Sequence, residues 1–248
     1  MRDTILTQIQ DRFRLETHLL RLEHQTAENE AALRQAKYDL REAKAAEVEY
    51  GGSFRAFRDK LTGKKEAAET ALRHNVQNAE AALASARQTA KRFALQSDEV
   101  RSRLEKLPTR SELKAQAEGK ALSLWHRLDA LYCVAALLPL LEANRILLNE
   151  RRSQFNGSNM GIKSHQALAE IYSAPEAAGE ACKPYFQRLK AALDALDIPF
   201  PLHDYWENPT AFLSSATQYT RMDRINTALA QVEAVEKQLP KLQKQLEE

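Results

Sequence analysis

The chain has 248 residues, of which 44% are hydrophobic and 28% are charged, so it can bury a substantial core. Its 36 basic and 34 acidic side chains give a formal net charge of +2, which excludes a strong positive field over the whole surface, as many nucleic-acid-binding proteins have. Aromatic residues make up only 7%, and no segment alternates β-branched and polar residues between turn signals, so the sequence predicts an all-α protein.

Two long heptad tracts occupy the first 107 residues. In the first, residues spaced alternately by four and three positions are Leu15, Leu19, Leu22, Thr26, Asn29, Leu33, Ala36, Leu40 and Ala43. In the second, the residues with the same spacing are Leu72, Val76, Ala79, Leu83, Ala86, Ala90, Phe93, Ser97, Val100, Leu104 and Leu107. Because this spacing places each set on one stripe of an α-helix, we predict helices over residues 2–48 and 65–107.

Adjacent glycines separate the two tracts. Gly51 and Gly52 end the first helix and reverse the chain, so we predict that residues 1–107 form a long antiparallel coiled-coil hairpin with its tip at about residues 50–65. Pairing positions whose numbers sum to 112 sets Asn29 opposite Leu83. Asn29 either fixes the register of the hairpin or lies half-exposed in a thin seam between two helices.

The end of the hairpin opposite the tip has a wider apolar face than the tip. The residues that lie off the main stripe are Ile5, Leu6, Ile9, Phe13, Leu20 and Leu95. A wider stripe needs more than one neighbouring helix, so we expect this end of the hairpin to be embedded in a helical-bundle base formed by residues 108–248.

Capping and proline signals divide the base into further helices. A capping box from Thr109 to Glu112 starts a helix that we predict to continue as far as Arg152, with a kink or break at Pro139.

Two shorter helices are expected in the base over residues 163–173 and 183–197. Pro175 and Gly179 are expected to interrupt the chain between them. Asn208 and the proline after it begin the last helix, at about residues 209–246, which we expect to pack on the base of the hairpin.

The sequence lacks the motifs of common enzymes and metal sites. No two histidines or cysteines have the spacing of metal ligands on a helix, and there is no phosphate-binding loop or nucleophile elbow. Cys133 and Cys182 lie in apolar helical segments and are predicted to be buried free thiols. We therefore expect no catalytic residues, no metal and no cofactor. The enzymatic alternative is a pocket in the base lined by His126, His165, His203 or Asp204.

The segment between the two tracts carries the main candidate site. Ser53 can cap a short helix that Gly63 ends, and Phe54, Phe57 and Leu61 recur on one face of that helix. The cations around them are Arg55, Arg58, Lys60, Lys64 and Lys65. This pattern is typical of a helix that docks on a partner or lies on an anionic surface. The other interpretation is that the phenylalanines fold back onto the ends of the two arms.

An aromatic segment near residue 200 is the second candidate surface. Its rings are those of Phe200, Tyr205 and Trp206. Such a segment presents either a recognition surface or a lid over the core.

Together these features favour a non-enzymatic scaffold or adapter that acts through protein–protein interaction, with an unidentified protein or with another copy of the chain. The hairpin would be a stiff spacer that presents its tip. The alternative is a peripheral protein that binds an anionic membrane or a nucleic acid through the same tip. The longest uninterrupted apolar run, residues 130–141, is shorter than the roughly 20 residues that span a bilayer, so we expect a cytoplasmic protein.

Overall fold

The computed structural model describes residues 2–156, 174–200, 203–214 and 220–248. Within these ranges the chain is helical and contains no strand, which confirms the predicted all-α class. The helix predicted over residues 163–173, together with His165, lies outside the described residues. The helices are α1 (Arg2–Gly51), α2 (Phe54–Leu61), α3 (Lys65–Glu105), α4 (Arg110–Gln116), α5 (Lys120–Asn156), α6 (Pro175–Asp194), α7 (Asp204–Glu207), α8 (Pro209–Ser214) and α9 (Arg221–Glu247).

The chain groups by proximity into two compact units. Unit 1 comprises Met1–His24 and Ser97–Glu248, and unit 2 comprises Gln25–Gln96. The division falls within α1 and within α3. The sequence instead placed a domain boundary after residue 107, where the second heptad tract ends. That boundary stays a prediction.

The main core of unit 1 is built by α5, α6 and α9. The apolar stripe of α9 is buried along its length, and its main neighbour is α5. The sequence led us to expect the base of the hairpin as the main neighbour of this last helix. The difference arises because α5 is apolar on more than one face and so accommodates both α6 and α9.

A second core in unit 1 contains the start of α1. Ile9 is fully buried and Phe13 is 2% exposed, and both pack with Leu113 of α4 and Trp125 of α5. The rings of Phe13 and Trp125 meet edge to face, with their centroids 4.9 Å apart. The prediction that this end of the hairpin is embedded among other helices is therefore confirmed for Ile9 and Phe13, but it is wrong for Leu95, which is 72% exposed.

The helix predicted to start at Thr109 is correct at its beginning and wrong in its continuation. Thr109 and Glu112 form the expected capping box. The helix then ends at Gln116, and α5 begins only at Lys120. Gly119 between them has a φ of +51°, a conformation that residues with a side chain rarely adopt, so the glycine permits the break.

One proline and one glycine, Pro139 and Gly179, do not interrupt a helix where the sequence suggested that they would. α5 continues through Pro139 without interruption. Pro175 is the first residue of α6, a position that needs no backbone donor, and α6 continues through Gly179. The helix predicted over residues 183–197 therefore begins eight residues earlier than expected, at Pro175.

The region predicted as one last helix contains two described helices, α8 and α9, with residues 215–219 outside the described ranges. Asn208 caps α8 as predicted, since its side-chain oxygen accepts a 3.1 Å hydrogen bond from the backbone of Ala211.

Among the described residues, α5 is the helix long and apolar enough to cross a membrane, over Lys120–Gln154, with a mean hydropathy of 1.6 in its most apolar window. Length and composition therefore do not exclude a membrane span, contrary to the argument from the uninterrupted run. Because 56% of this window is buried within the protein, the role of α5 as a core helix accounts for its composition.

Candidate interaction surface on α2

Local capping fixes both ends of α2. Ser53 has an extended backbone, and its hydroxyl accepts a 3.2 Å hydrogen bond from the backbone of Ala56. At the other end, the backbone of Thr62 donates to the carbonyl of Arg58, and Gly63 follows with a φ of +71°. The start at Ser53 and the end at Gly63 are therefore as the sequence predicts.

The outer face of α2 carries three exposed apolar side chains. Phe54 is 80% exposed, Phe57 is 58% exposed and Leu61 is 73% exposed. The two phenylalanine rings lie next to each other, with centroids 6.2 Å apart. The interpretation that the phenylalanines fold back onto the arms is therefore wrong. We call these three residues the apolar stripe of α2.

The inner face of α2 is formed by Ala56 and Asp59, which are 5% and 9% exposed. Asp59 accepts a 3.0 Å hydrogen bond from the hydroxyl of Tyr50, a buried residue near the end of α1. Burial, followed by this bond to Asp59, raises the pKa of Tyr50 above its usual value. Sequence analysis missed the role of Tyr50. The available signal was that Ala56 and Asp59, three positions apart, face away from the apolar stripe.

Cations lie on both sides of the apolar stripe. At about 100° of rotation per residue, Arg58 and Arg55 follow the stripe on one side and Lys60 lies on the other. Both arginines are mostly exposed, and each lies 3.9 Å from an oxygen of Asp59. These are long distances for ion pairs, so the two arginines share one carboxylate and keep most of their surface in water.

Lys64 and Lys65 extend the positive charge beyond the end of α2. Lys64 is exposed, whereas Lys65 is half-buried and lies 3.4 Å from Glu69. Of the eight residues predicted for this surface, seven are exposed, so the predicted residues do form one accessible segment.

The second predicted surface lies largely inside the protein. Tyr205 is fully buried and Trp206 is 2% exposed, and the hydroxyl of Tyr205 accepts a 2.7 Å hydrogen bond from the side chain of Asn144. Phe200 is half-buried against the same core. Tyr205 and Trp206 therefore belong to the core, which agrees with the lid interpretation and leaves no recognition surface at these two rings.

The described residues contain no group of three or more His, Cys, Asp or Glu side chains that could hold a metal ion. His126 is partly buried, which lowers its pKa, and His203 lies at the N-terminal cap position of α7. Cys133 and Cys182 are buried free thiols, as predicted, and burial raises the pKa of both. Such thiols are poor nucleophiles.

A buried charge cluster in unit 1 was not predicted. Asp129 of α5 is 8% exposed and accepts hydrogen bonds of 2.8 Å from Arg110 and from Arg188. Arg110 also lies 2.6 Å from Glu16, and its guanidinium stacks over the ring of Tyr132. Burial raises the pKa of Asp129 to about 6, although Arg110 opposes the shift. The cluster joins α1, α4, α5 and α6.

Comparison of the chain with models of protein families, with curated proteins and with solved structures finds no match. Among the candidate sites, the α2 surface combines exposed apolar side chains, positive charge and a helix whose orientation is fixed.

Proposed function

We propose that the protein is a non-enzymatic scaffold or adapter of the antiparallel coiled-coil type, which acts through a binding surface on α2. The sequence favours a protein as the partner of this surface. The free, buried cysteines fit a reducing compartment, so we propose the cytoplasm as its location.

Contacts between α1 and α3 within unit 2 support the hairpin part of the proposal. The side chain of Asn29 donates a 3.1 Å hydrogen bond to the carbonyl of Ala86, and Lys44 lies 2.9 Å from Glu80. A later residue of α1 thus meets an earlier residue of α3, as in an antiparallel pair. Asn29 is half-buried, and its partner belongs to the layer next to the predicted Leu83.

The observation that carries the proposal is the exposure of the apolar stripe. Exposing three large apolar side chains on two turns of helix to water is unfavourable in free energy, and a partner that covers them removes this cost. A role as a cap on the hairpin would require them to be buried, and they are exposed.

A triple variant tests this proposal. Replacing Phe54, Phe57 and Leu61 with serine should abolish capture of the partners that the wild-type protein retains, without changing the melting temperature, because the three side chains make few contacts in the free protein. The matched control replaces the exposed Tyr38, Val48 and Leu95 of the same unit with serine and should retain capture. Equal capture by both triple variants would show that the α2 surface is not the binding site.

A second candidate function is favoured by the cations beside the stripe, which suit an anionic membrane or a nucleic acid. Polyanion binding through these cations should weaken steeply as salt rises, whereas apolar docking on a protein should not.

A further inference from the structure

We propose that the surface recognised by α2 is an anionic lipid bilayer. This inference rests on the proposed binding role of α2 and names the chemistry of its partner.

The apolar stripe protrudes from the helix. Phe54, Phe57 and Leu61 lie on one face of α2 and are between 58% and 80% exposed, so the described residues shield them little from water. An exposed apolar ridge fits a deformable surface that it can enter, such as the boundary between lipid headgroups and acyl chains. A protein partner would have to supply a matching groove.

The cations stand where headgroup phosphates would lie. When the stripe enters the acyl boundary, Arg55 and Arg58 on one side and Lys60 on the other extend along the surface with their charged ends at headgroup level. The five cations from Arg55 to Lys65 against one carboxylate, Asp59, leave a local charge of +4 (5 − 1), although Glu66 and Glu69 follow on α3. Anionic lipid is thus the complementary surface.

The hydrogen bond between Tyr50 and Asp59 holds α2 in an orientation that exposes its apolar stripe before binding. Because Asp59 and Ala56 are held inward, α2 cannot easily rotate to bury its apolar stripe against unit 2. The stripe is therefore exposed before binding, and less conformational order is lost on contact with the lipid.

A nucleic acid explains less of the surface. Phosphate contacts would use the cations but would leave Leu61 and the outer parts of both phenylalanines without a partner. The coexistence of an apolar stripe with cations on both of its sides favours the lipid surface, where both kinds of side chain are used. Stable membrane anchoring takes two signals together, such as an apolar insertion and a cluster of cations.

The test measures co-sedimentation of the full-length chain with vesicles of phosphatidylcholine alone and of phosphatidylcholine and phosphatidylserine in equal parts. We expect binding to the anionic vesicles only. The serine variant of Phe54, Phe57 and Leu61 should lose at least about tenfold in affinity. Replacing Arg55, Arg58 and Lys60 with glutamine should weaken binding by about 100-fold, since each cation near an anionic surface contributes to attraction.

Two matched controls isolate the surface. The variant with glutamine at Arg73, Arg87 and Lys91, exposed cations of α3, removes the same charge from the same unit. The serine variant of Tyr38, Val48 and Leu95 removes three other exposed apolar side chains. Both should bind anionic vesicles within about twofold of the wild type, and circular dichroism should show that all variants remain helical.

Three results would overturn the lipid assignment. They are absence of wild-type binding to the anionic vesicles, equal loss in the control variants, or a nucleic-acid shift that the arginine and lysine changes abolish while the serine changes leave it intact. Loss of a protein partner in the α2 serine variant without any vesicle binding would reject the lipid and retain the proposed binding function. If neither vesicle binding nor partner capture depends on α2, both proposals fail.

Discussion

The hydroxyl of Tyr50 donates a 3.0 Å hydrogen bond to Asp59 Oδ2, which links the end of α1 to the inner face of α2. The two helices are separated by only Gly52 and Ser53, so the link closes a small loop. It fixes the rotation of α2 about its own axis. The rotation in turn decides that Phe54, Phe57 and Leu61 face the solvent.

Removing this link should loosen α2 without unfolding unit 2. In a Tyr50→Phe variant, Asp59 loses its hydrogen-bond donor and keeps only the two long ion pairs with Arg55 and Arg58, so states in which the carboxylate reaches water are favoured. We expect amide hydrogen exchange over residues 54–61 to become about tenfold faster. Tyr38→Phe is the control, because Tyr38 is exposed. Unchanged exchange in α2 of Tyr50→Phe would mean that capping by Ser53 alone holds the helix.

The antiparallel arrangement within unit 2 predicts two distances. Spin labels at positions 44 and 80 should lie close together, because Lys44 and Glu80 form an ion pair of 2.9 Å. Moving the second label to Lys91 displaces it by about 16 Å along α3, at 1.5 Å per residue of helix, and should lengthen the distance clearly. Double electron–electron resonance measures both pairs.

Dilution with unlabelled protein is the control for these distances, since it removes contributions from pairs in different molecules. A long distance between positions 44 and 80 at high dilution would contradict the hairpin. A short distance that disappears on dilution would show that α1 of one copy pairs with α3 of another.

Heptad spacing was sufficient to predict the helices of unit 2, because the apolar stripe of such a helix depends only on residues three and four positions apart in the sequence. The same local reasoning found Ser53 and Gly63, whose roles depend on neighbours one turn away. It could not decide whether Phe54 and Phe57 are exposed. That depends on which face of α2 meets α1, and the deciding contact joins Tyr50 to Asp59 across a chain reversal.

In unit 1, local signals misled where tertiary contacts override propensity. Gly179 reads as a helix breaker, yet it lies inside α6, where a side chain would collide with Pro209 and Tyr205. From the sequence, Asp129 would be predicted to be an exposed carboxylate on a helix surface. Its burial depends on Arg110 and Arg188, which are 19 and 59 positions away in the chain, so no spacing rule could reveal it.

Gly179 gives a test of close packing in unit 1. A β-carbon added there would lie 2.6 Å from Cβ of Pro209 and 2.7 Å from the hydroxyl oxygen of Tyr205. Alanine normally stabilises a helix by about 1 kcal/mol relative to glycine, but the overlap should reverse the sign. We expect Gly179→Ala to lower the free energy of unfolding by about 1–3 kcal/mol. Both tryptophans, Trp125 and Trp206, lie in unit 1, so urea unfolding followed by their fluorescence reports on this unit.

Gly51→Ala is the matched control for that substitution. Gly51 is also helical, but a β-carbon there would have no heavy atom within 4 Å. Gly51 lies in unit 2, so its effect is followed by circular dichroism, and the change should leave stability unaltered or raise it by up to about 1 kcal/mol. If Gly179→Ala is as stable as the wild type, α6 does not approach α7 and α8 as closely as the structure indicates.

Asp129 predicts how the stability of unit 1 depends on pH. Its pKa is about 6 in the folded protein, whereas an unfolded aspartate has a pKa of about 3.9. Between these values the folded state binds more protons than the unfolded state, so the free energy of unfolding should fall as pH rises from about 4 to about 6, by up to about 3 kcal/mol. In Asp129→Asn this contribution disappears, and the slope over that window should be less negative than in the wild type.

Asp98→Asn, which changes an exposed carboxylate, should keep the wild-type slope. Urea unfolding followed by tryptophan fluorescence at several pH values measures the difference. A wild-type slope that is more positive than that of Asp129→Asn would show that the guanidinium groups of Arg110 and Arg188 outweigh the cost of burying the carboxylate.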